Sequence, residues 1–165
     1  MDQDLRYSET QKFDQWWLRL ILLLVNVLIA FGTYRQLVLH IPFGDHPMSN
    51  TLLIGSLLLM LLVTGLILSS RLETQIKEDG VSVRFYPFQL QFRSYKWNQM
   101  AGHAVVVYKP LREYGGWGFR MSRAGTALST SGNQGLQLVF HDGRRLLIGT
   151  RDADAMKAVL NDISR

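Results

Sequence analysis

The chain has no cysteine, only four prolines in 165 residues, and long stretches without a single charge. Without cysteine there is no disulfide framework, no Cys-ligated zinc or iron–sulfur site and no thiol nucleophile. Phosphate-binding loops are missing as well. No glycine precedes a Lys-Ser or Lys-Thr pair at Walker spacing, and Gly116-Trp117-Gly118 lacks the third glycine and the strand–helix setting of a dinucleotide loop. Neither a Gly-x-Ser-x-Gly elbow nor a His-Glu-x-x-His helix occurs. These gaps point away from enzymatic chemistry, and no cofactor is expected. With 47% hydrophobic residues the chain is not disordered either.

A mean hydropathy of +0.04 averages two unlike halves. Residues 1–70 hold four Lys/Arg and five Asp/Glu, a net charge of −1. Residues 71–165 hold fourteen and eight, a net of +6. One uniform soluble domain does not have this division. The expected organisation is an N-terminal segment 1–15, an apolar hairpin 16–70 and a basic domain 71–165.

The hairpin reads as two membrane spans, about 16–39 and 49–70. Residues 20–34 are uncharged between Arg19 and Arg35, and residues 47–70 form an uncharged run of 24. About 20 helical residues match a hydrocarbon core of ~30 Å. Trp16, Trp17 and Tyr34 suit the interface, and Arg19 can extend outward from it. A cleaved signal peptide would want a basic leader and a shorter apolar core; here Asp2, Asp4, Glu9 and Asp14 precede a long one. A core helix of a soluble protein would carry a polar stripe, and residues 51–70 carry none.

Lys/Arg bias sets the orientation. Arg6, Lys12 and Arg19 precede the first span; Arg71, Lys77 and Arg84 follow the second. The loop at 40–50 has neither Lys nor Arg. Both termini are therefore expected in the cytoplasm, in a multi-pass protein of the inner (plasma) membrane. Mid-span ionisable groups, which a transport site needs, are absent from 20–34 and 47–70. Asn26, Thr33, Ser56, Thr64 and the Gly65…Ser69 pair read instead as helix packing, with Asn26 turned to the second span or to a second copy. The bilayer is one expected partner, and self-association through the spans another. His40 and His46, with Asp45, share the loop and have metal-ligating chemistry; interface or loop polarity is the plainer reading, and no metal is expected.

After Ser70 the period changes. Leu72, Thr74 and Ile76 alternate with Glu73, Gln75 and Lys77; Glu78-Asp79-Gly80 turns the chain; Val81, Val83 and Phe85 alternate again, a hairpin pattern. Further strands are expected at 90–95, 103–109, 117–122, 127–131, 136–141 and 144–148, with a helical turn at 97–100 and a tight turn at Asp142-Gly143. Met156, Val159, Leu160 and Ile163 recur at i, i+3, i+4 and i+7, an amphipathic helix that Thr150 or Asp152 can cap. Seven or so strands and one helix suggest a bent sheet or two packed sheets with the helix plugging an open end.

Three stretches carry a resemblance. They are Tyr108-Lys109-Pro110-Leu111-Arg112-Glu113-Tyr114-Gly115-Gly116-Trp117-Gly118, Ser131-Gly132-Asn133-Gln134-Gly135-Leu136-Gln137-Leu138, and Asp142-Gly143-Arg144-Arg145-Leu146-Leu147-Ile148-Gly149-Thr150 leading into the helix. Over about 72–163 they resemble a largely uncharacterised bacterial family with a short membrane anchor before a pleckstrin-homology-like domain. The resemblance implies a mainly-β barrel or sandwich capped by a C-terminal helix, with a binding or assembly role and no catalytic residues.

The best candidate site is the segment 109–123. Lys109, Arg112, Arg120 and Arg123 alternate there with Tyr114, Trp117 and several glycines, a mixture suited to an anion or a protein partner. A structural loop with tight glycine turns and a packed Trp117 is the plainer alternative. Eukaryotic pleckstrin-homology domains that grip phosphoinositides place cations around their first hairpin, whereas Glu78-Asp79-Gly80 is acidic. Net +6 nevertheless suits a domain beneath an anionic leaflet, through residues such as Arg84, Arg93, Lys96, Arg112 and Arg144. The basic residues are too dispersed for nucleic acid. The leading expectation is a membrane-anchored module that binds a protein partner and localises or stabilises a membrane complex. A sensor of anionic lipid is the alternative.

Overall fold

A computed structural model describes residues 4–163. The outermost residues of the expected N-terminal segment and basic domain, 1–3 and 164–165, lie outside the described residues. The chain divides into two compact units, Asp14–Ser69 and Met1–Phe13 together with Ser70–Arg165.

The first unit is a helical hairpin of α1 (Trp16–Leu37) and α2 (Asn50–Ser69). Both helices are long and apolar enough to cross a membrane. Their buried residues are few: Leu22, Gly32 and Thr33 on α1, and Leu53 on α2. Leu23, Leu24, Leu28, Leu58, Leu59 and Leu62 all point outward. A core helix of a soluble protein would bury such side chains. The first helix stops at Leu37, short of the expected residue 39, and His40 follows with φ of 56°.

Asn26 meets the second helix, as its position suggested. Its Nδ2 donates to Thr64 Oγ1 at 2.8 Å and to the Leu22 carbonyl at 2.7 Å. The close approach of small residues lies elsewhere than expected. A Cβ on Gly65 would meet nothing within 4 Å, and Ser69 turns its hydroxyl back to the Leu66 carbonyl. Gly32 is the tight point, where a Cβ would sit 2.6 Å from the Phe43 ring. Gln36 Nε2 closes the connecting loop by donating to the Met48 carbonyl and to Asn50 Oδ1.

The second unit contains two mainly antiparallel sheets and a C-terminal helix. The first sheet is a meander of β1 (Leu5–Lys12), β2 (Arg71–Lys77), β3 (Gly80–Tyr86) and β4 (Arg93–Lys96). Its first strand comes from the segment that the sequence reading set apart as 1–15. Lys12 pairs with Arg71 and Leu5 with Lys77, so the helical hairpin occupies the connection between two neighbouring strands. The meander pattern of β2 and β3 is as read from the alternation, with Leu72, Ile76, Val81, Val83 and Phe85 all buried. The fourth strand starts three residues later than expected, which leaves 90–92 outside the ladder.

After a 3₁₀ turn at Trp97–Gln99 comes the second sheet. It comprises β5 (Met100–Val107), β6 (Gly118–Ser122), β7 (Gly125–Ser129), β8 (Gln134–Phe140) and β9 (Arg145–Gly149) in the order β5-β8-β9-β7-β6. A short helix, α3 (Pro110–Tyr114), precedes β6, and α4 (Ala153–Ile163) closes the unit. The order is no simple meander: β7 runs parallel to β9, and β6 is an edge. Leu72, Ile76, Phe85, Leu128, Leu136, Leu138, Ile148, Met156 and Leu160 form one buried cluster between the sheets and α4. Asp152 caps α4 by accepting from the Ala155 N–H at 3.0 Å, and Thr150 Oγ1 accepts from the Asp152 N–H at 3.1 Å. The apolar stripe faces inward as its spacing predicts, while Lys157 and Asn161 are exposed.

Candidate functional site

Register decides what the 109–123 segment presents. Phe119 lies opposite Leu128, which pairs with Ile148, so Phe119 ends a row on the core side of the sheet. Met121 likewise continues the row of Thr126 and Leu146. Arg120 lies opposite Ala127 on the outer face. There Ala127, Leu147, Tyr108 and Tyr114 make a second, smaller buried cluster. Because β6 lies at the margin, its ends of the core rows emerge into solvent: Met121 is 76% exposed. Leu111, on the short helix that precedes β6, is 71% exposed. The outer backbone edge of β6 has no neighbouring strand among the described residues.

Local chemistry makes this segment rigid. Glu113 Oε1 accepts from the Lys109 N–H at 2.9 Å, closing the first turn of α3, and Pro110 suits that position. Gly115 ends the helix with φ of 70°, a left-handed conformation that a Cβ disfavours, and its N–H and that of Gly116 return to the Leu111 and Pro110 carbonyls. Trp117 Nε1 donates to the Gly132 carbonyl at 2.8 Å, pinning the segment to the β7–β8 connection. Arg120 Nε donates to the Trp117 carbonyl at 3.0 Å. The glycines thus serve fixed turns.

The six residues singled out from the sequence therefore separate by role. Tyr114 is buried edge-on against Tyr108, ring centroids 5.9 Å apart, and Trp117 is half-buried. Both hold structure. Burial raises the pKa of both tyrosines; Tyr108 lies near the Ser129 hydroxyl without meeting it at hydrogen-bond geometry, so its desolvation dominates. Lys109 and Arg112 are exposed around α3, and neither side chain has an ion pair among the described residues. Arg123 sits apart from them at the β6–β7 turn, where it lines an open groove with Met121, Arg144 and Arg145. Gly125 in that turn has φ of 123°, and a Cβ there would lie 2.5 Å from the Arg145 carbonyl.

Sequence reasoning missed Leu111, Phe119, Met121 and Arg145. The strand expected at 117–122 holds Phe119 and Met121 at alternate positions, and their place on an edge strand exposes them.

Of the five cations considered for lipid headgroups, two are already paired with carboxylates. Arg84 pairs with Glu73, and Arg144 Nε meets Asp142 Oδ2 at 2.6 Å. The Arg144 backbone N–H, then its side chain, holds the Asp142 carboxyl below its usual range. Arg93 and Lys96 lie on β4 in the first sheet, and Arg112 on α3. Among the described residues no group of three or more His, Asp or Glu could hold a metal ion, His40 and His46 included. No family model, curated protein or solved structure matches the chain.

Proposed function

We propose that this is a non-enzymatic two-span membrane protein whose pleckstrin-homology-like module, on the cytoplasmic side with both termini, binds a protein partner at the β6 edge. The length, apolarity and outward-facing leucines of α1 and α2 support the membrane part. A four-stranded meander, a second sheet and a capping helix support the pleckstrin-homology-like reading. The parallel β7–β9 pair and the β6–β7 hairpin are departures from a plain seven-strand order.

One observation carries the binding surface: an edge strand with an open backbone ladder among the described residues displays Phe119 and Met121, with exposed Lys109, Leu111 and Arg112 at the helix before it and exposed Arg123 in the turn after it. Such an edge accepts an added strand, with alternate side chains giving specificity. Cations around it select an acidic segment and oppose a basic one. An extended protein segment with alternating apolar and acidic residues is the fitting occupant. A headgroup sensor would instead need unpaired cations gathered on one face.

The test is site-specific photo-crosslinking in cells, with the probe at Met121 and a control probe at Lys157 on the exposed side of α4. A discrete heterologous adduct from residue 121, lost on Arg112→Glu with Arg123→Glu, is expected. Equal labelling from both positions, or lipid adducts from residue 121, would reject the site. Orientation is read separately by cysteine labelling of intact cells, since no native thiol interferes: Asp45→Cys should react and Asp142→Cys should not.

A further inference from the structure

Residues 87–92, between β3 and β4, are a second place where the β unit shows large apolar side chains to its surroundings. Phe88 is 66% exposed and Leu90 70%. The loop that carries them is well anchored. Phe88 stacks on Phe85 with centroids 5.9 Å apart, and Phe85 meets Phe13 edge-on at 6.4 Å. The Gln89 N–H donates to the Phe85 carbonyl at 2.8 Å. Arg84 donates to the Leu90 carbonyl at 3.3 Å and lies 4.5 Å over the Phe92 ring. Phe88 and Leu90 are thus held outward by a fixed turn.

Register fixes which end of the sheet this is. Lys12 pairs with Arg71, and Arg71 with Tyr86, so the loop opens where the chain leaves toward α1 and returns from α2. Ser70 alone separates Arg71 from the last residue of α2. At no more than ~3.6 Å per residue, Arg71 lies within about 7 Å of that residue by covalent connection alone. The uncharged run also ends there. Cations Arg71, Arg84 and Arg93 flank the loop, while Phe88 and Leu90 project from it: the pattern of an interfacial segment, apolar tip inward and cations at headgroup level.

We infer that residues 87–92 enter the headgroup–acyl boundary of the bilayer, with Phe88 and Leu90 as the inserting side chains. This rests on the two-span reading above. It differs from a headgroup sensor, because apolar transfer rather than charge holds the loop.

The test uses the full chain in vesicles of phosphatidylcholine and phosphatidylglycerol, with an environment-sensitive fluorophore on Leu90→Cys, Leu58→Cys or Asp142→Cys. Leu90 and Leu58 are exposed, so labelling disturbs no core. The expected result is blue-shifted emission at residue 90, quenched by doxyl groups carried high on the lipid chain and unchanged in high salt. Residue 58 should be quenched by doxyl groups near the chain end, and residue 142 only by aqueous iodide. If residue 58 behaves so but residue 90 follows residue 142, the loop inference falls and the spans stand. Aqueous behaviour at residue 58 overturns the span reading and this one with it. Shielding of residue 90 from both lipid and aqueous quenchers would mean a protein contact, and salt-sensitive quenching a charge-held one; either overturns the insertion.

Discussion

Gln11 joins the N-terminal strand to the second sheet through both ends of its amide. Its Nε2 donates to the Gly149 carbonyl at 2.7 Å, and its Oε1 accepts from Thr130 Oγ1 at 3.2 Å. Nearby, Glu9 accepts from the Tyr7 and Thr150 hydroxyls and from the Arg151 N–H. Gln11→Leu keeps much of the volume but removes the donor to a buried carbonyl, which typically costs about 1–3 kcal/mol. The thermal midpoint of the β unit should fall accordingly, while exposed Thr10→Ala leaves it unchanged. Tyrosine burial supplies a second expectation. Burial pushes the Tyr7, Tyr108 and Tyr114 phenols above their ordinary value of 10.0. Above about pH 10 the unfolded chain loses these protons and the folded one keeps them, so stability is full below that pH and declines above it. Tyr108→Phe should flatten the decline in an alkaline denaturation series and leave stability at neutral pH little changed. An undiminished slope would mean other groups dominate.

Among the elements, α4 was the most legible. A period of 3.6 is a local property, and Met156 and Leu160 are buried where it places them. Replacing Leu160 by Ala in such a site typically costs ~2–5 kcal/mol, and Val159→Ala adds to it. Because a domain of this size is stable by about 5–15 kcal/mol, the pair should make the β unit protease-sensitive. Lys157→Ala with Asn161→Ala should stay within about 0.5 kcal/mol of the native chain. If the apolar pair leaves protease resistance intact, α4 is not the closure of the core. The strand at 90–95 was less legible. Leu90 and Phe92 alternate like strand residues, yet the ladder begins only at Arg93 and pairs it with Val83. Where a ladder starts depends on the partner strand, which alternation does not report.

At the scale of the whole chain, the β unit is discontinuous: β1 belongs to it, and the helical hairpin is inserted between β1 and β2. A piece beginning at residue 71 would expose the side of β2 that β1 covers, along with the groups that Gln11 and Glu9 satisfy. Since Lys12 and Arg71 are antiparallel partners, a tight turn can replace the insertion. Joining Phe13 to Ser70 through Asn-Gly should yield a soluble, cooperatively melting domain, whereas residues 70–165 alone should aggregate or melt broadly. Equal stability of the two would show that β1 is dispensable. Aggregation of both would show that the unit needs its helices.

How much could be read in advance follows from the range of each interaction. The two apolar helices, the β2–β3 hairpin and α4 were visible because length, apolarity and period are carried by neighbouring residues. The N-terminal strand was not, because its inward face is Tyr7, Glu9, Gln11 and Phe13. Polar residues there satisfy partners about 140 positions away, such as Gly149, Thr150 and Arg151. Its signal was a period of two in Tyr7 and Phe13, too short to outweigh the charges between. The candidate site divides likewise. Its residue types were legible, but Met121 became a surface residue, Tyr114 a buried one, and Arg123 a neighbour of Arg145 only when the β7–β9 pairing put β6 on an edge. Strand order comes from which distant apolar rows bury one another, and only the folded chain brings those rows together.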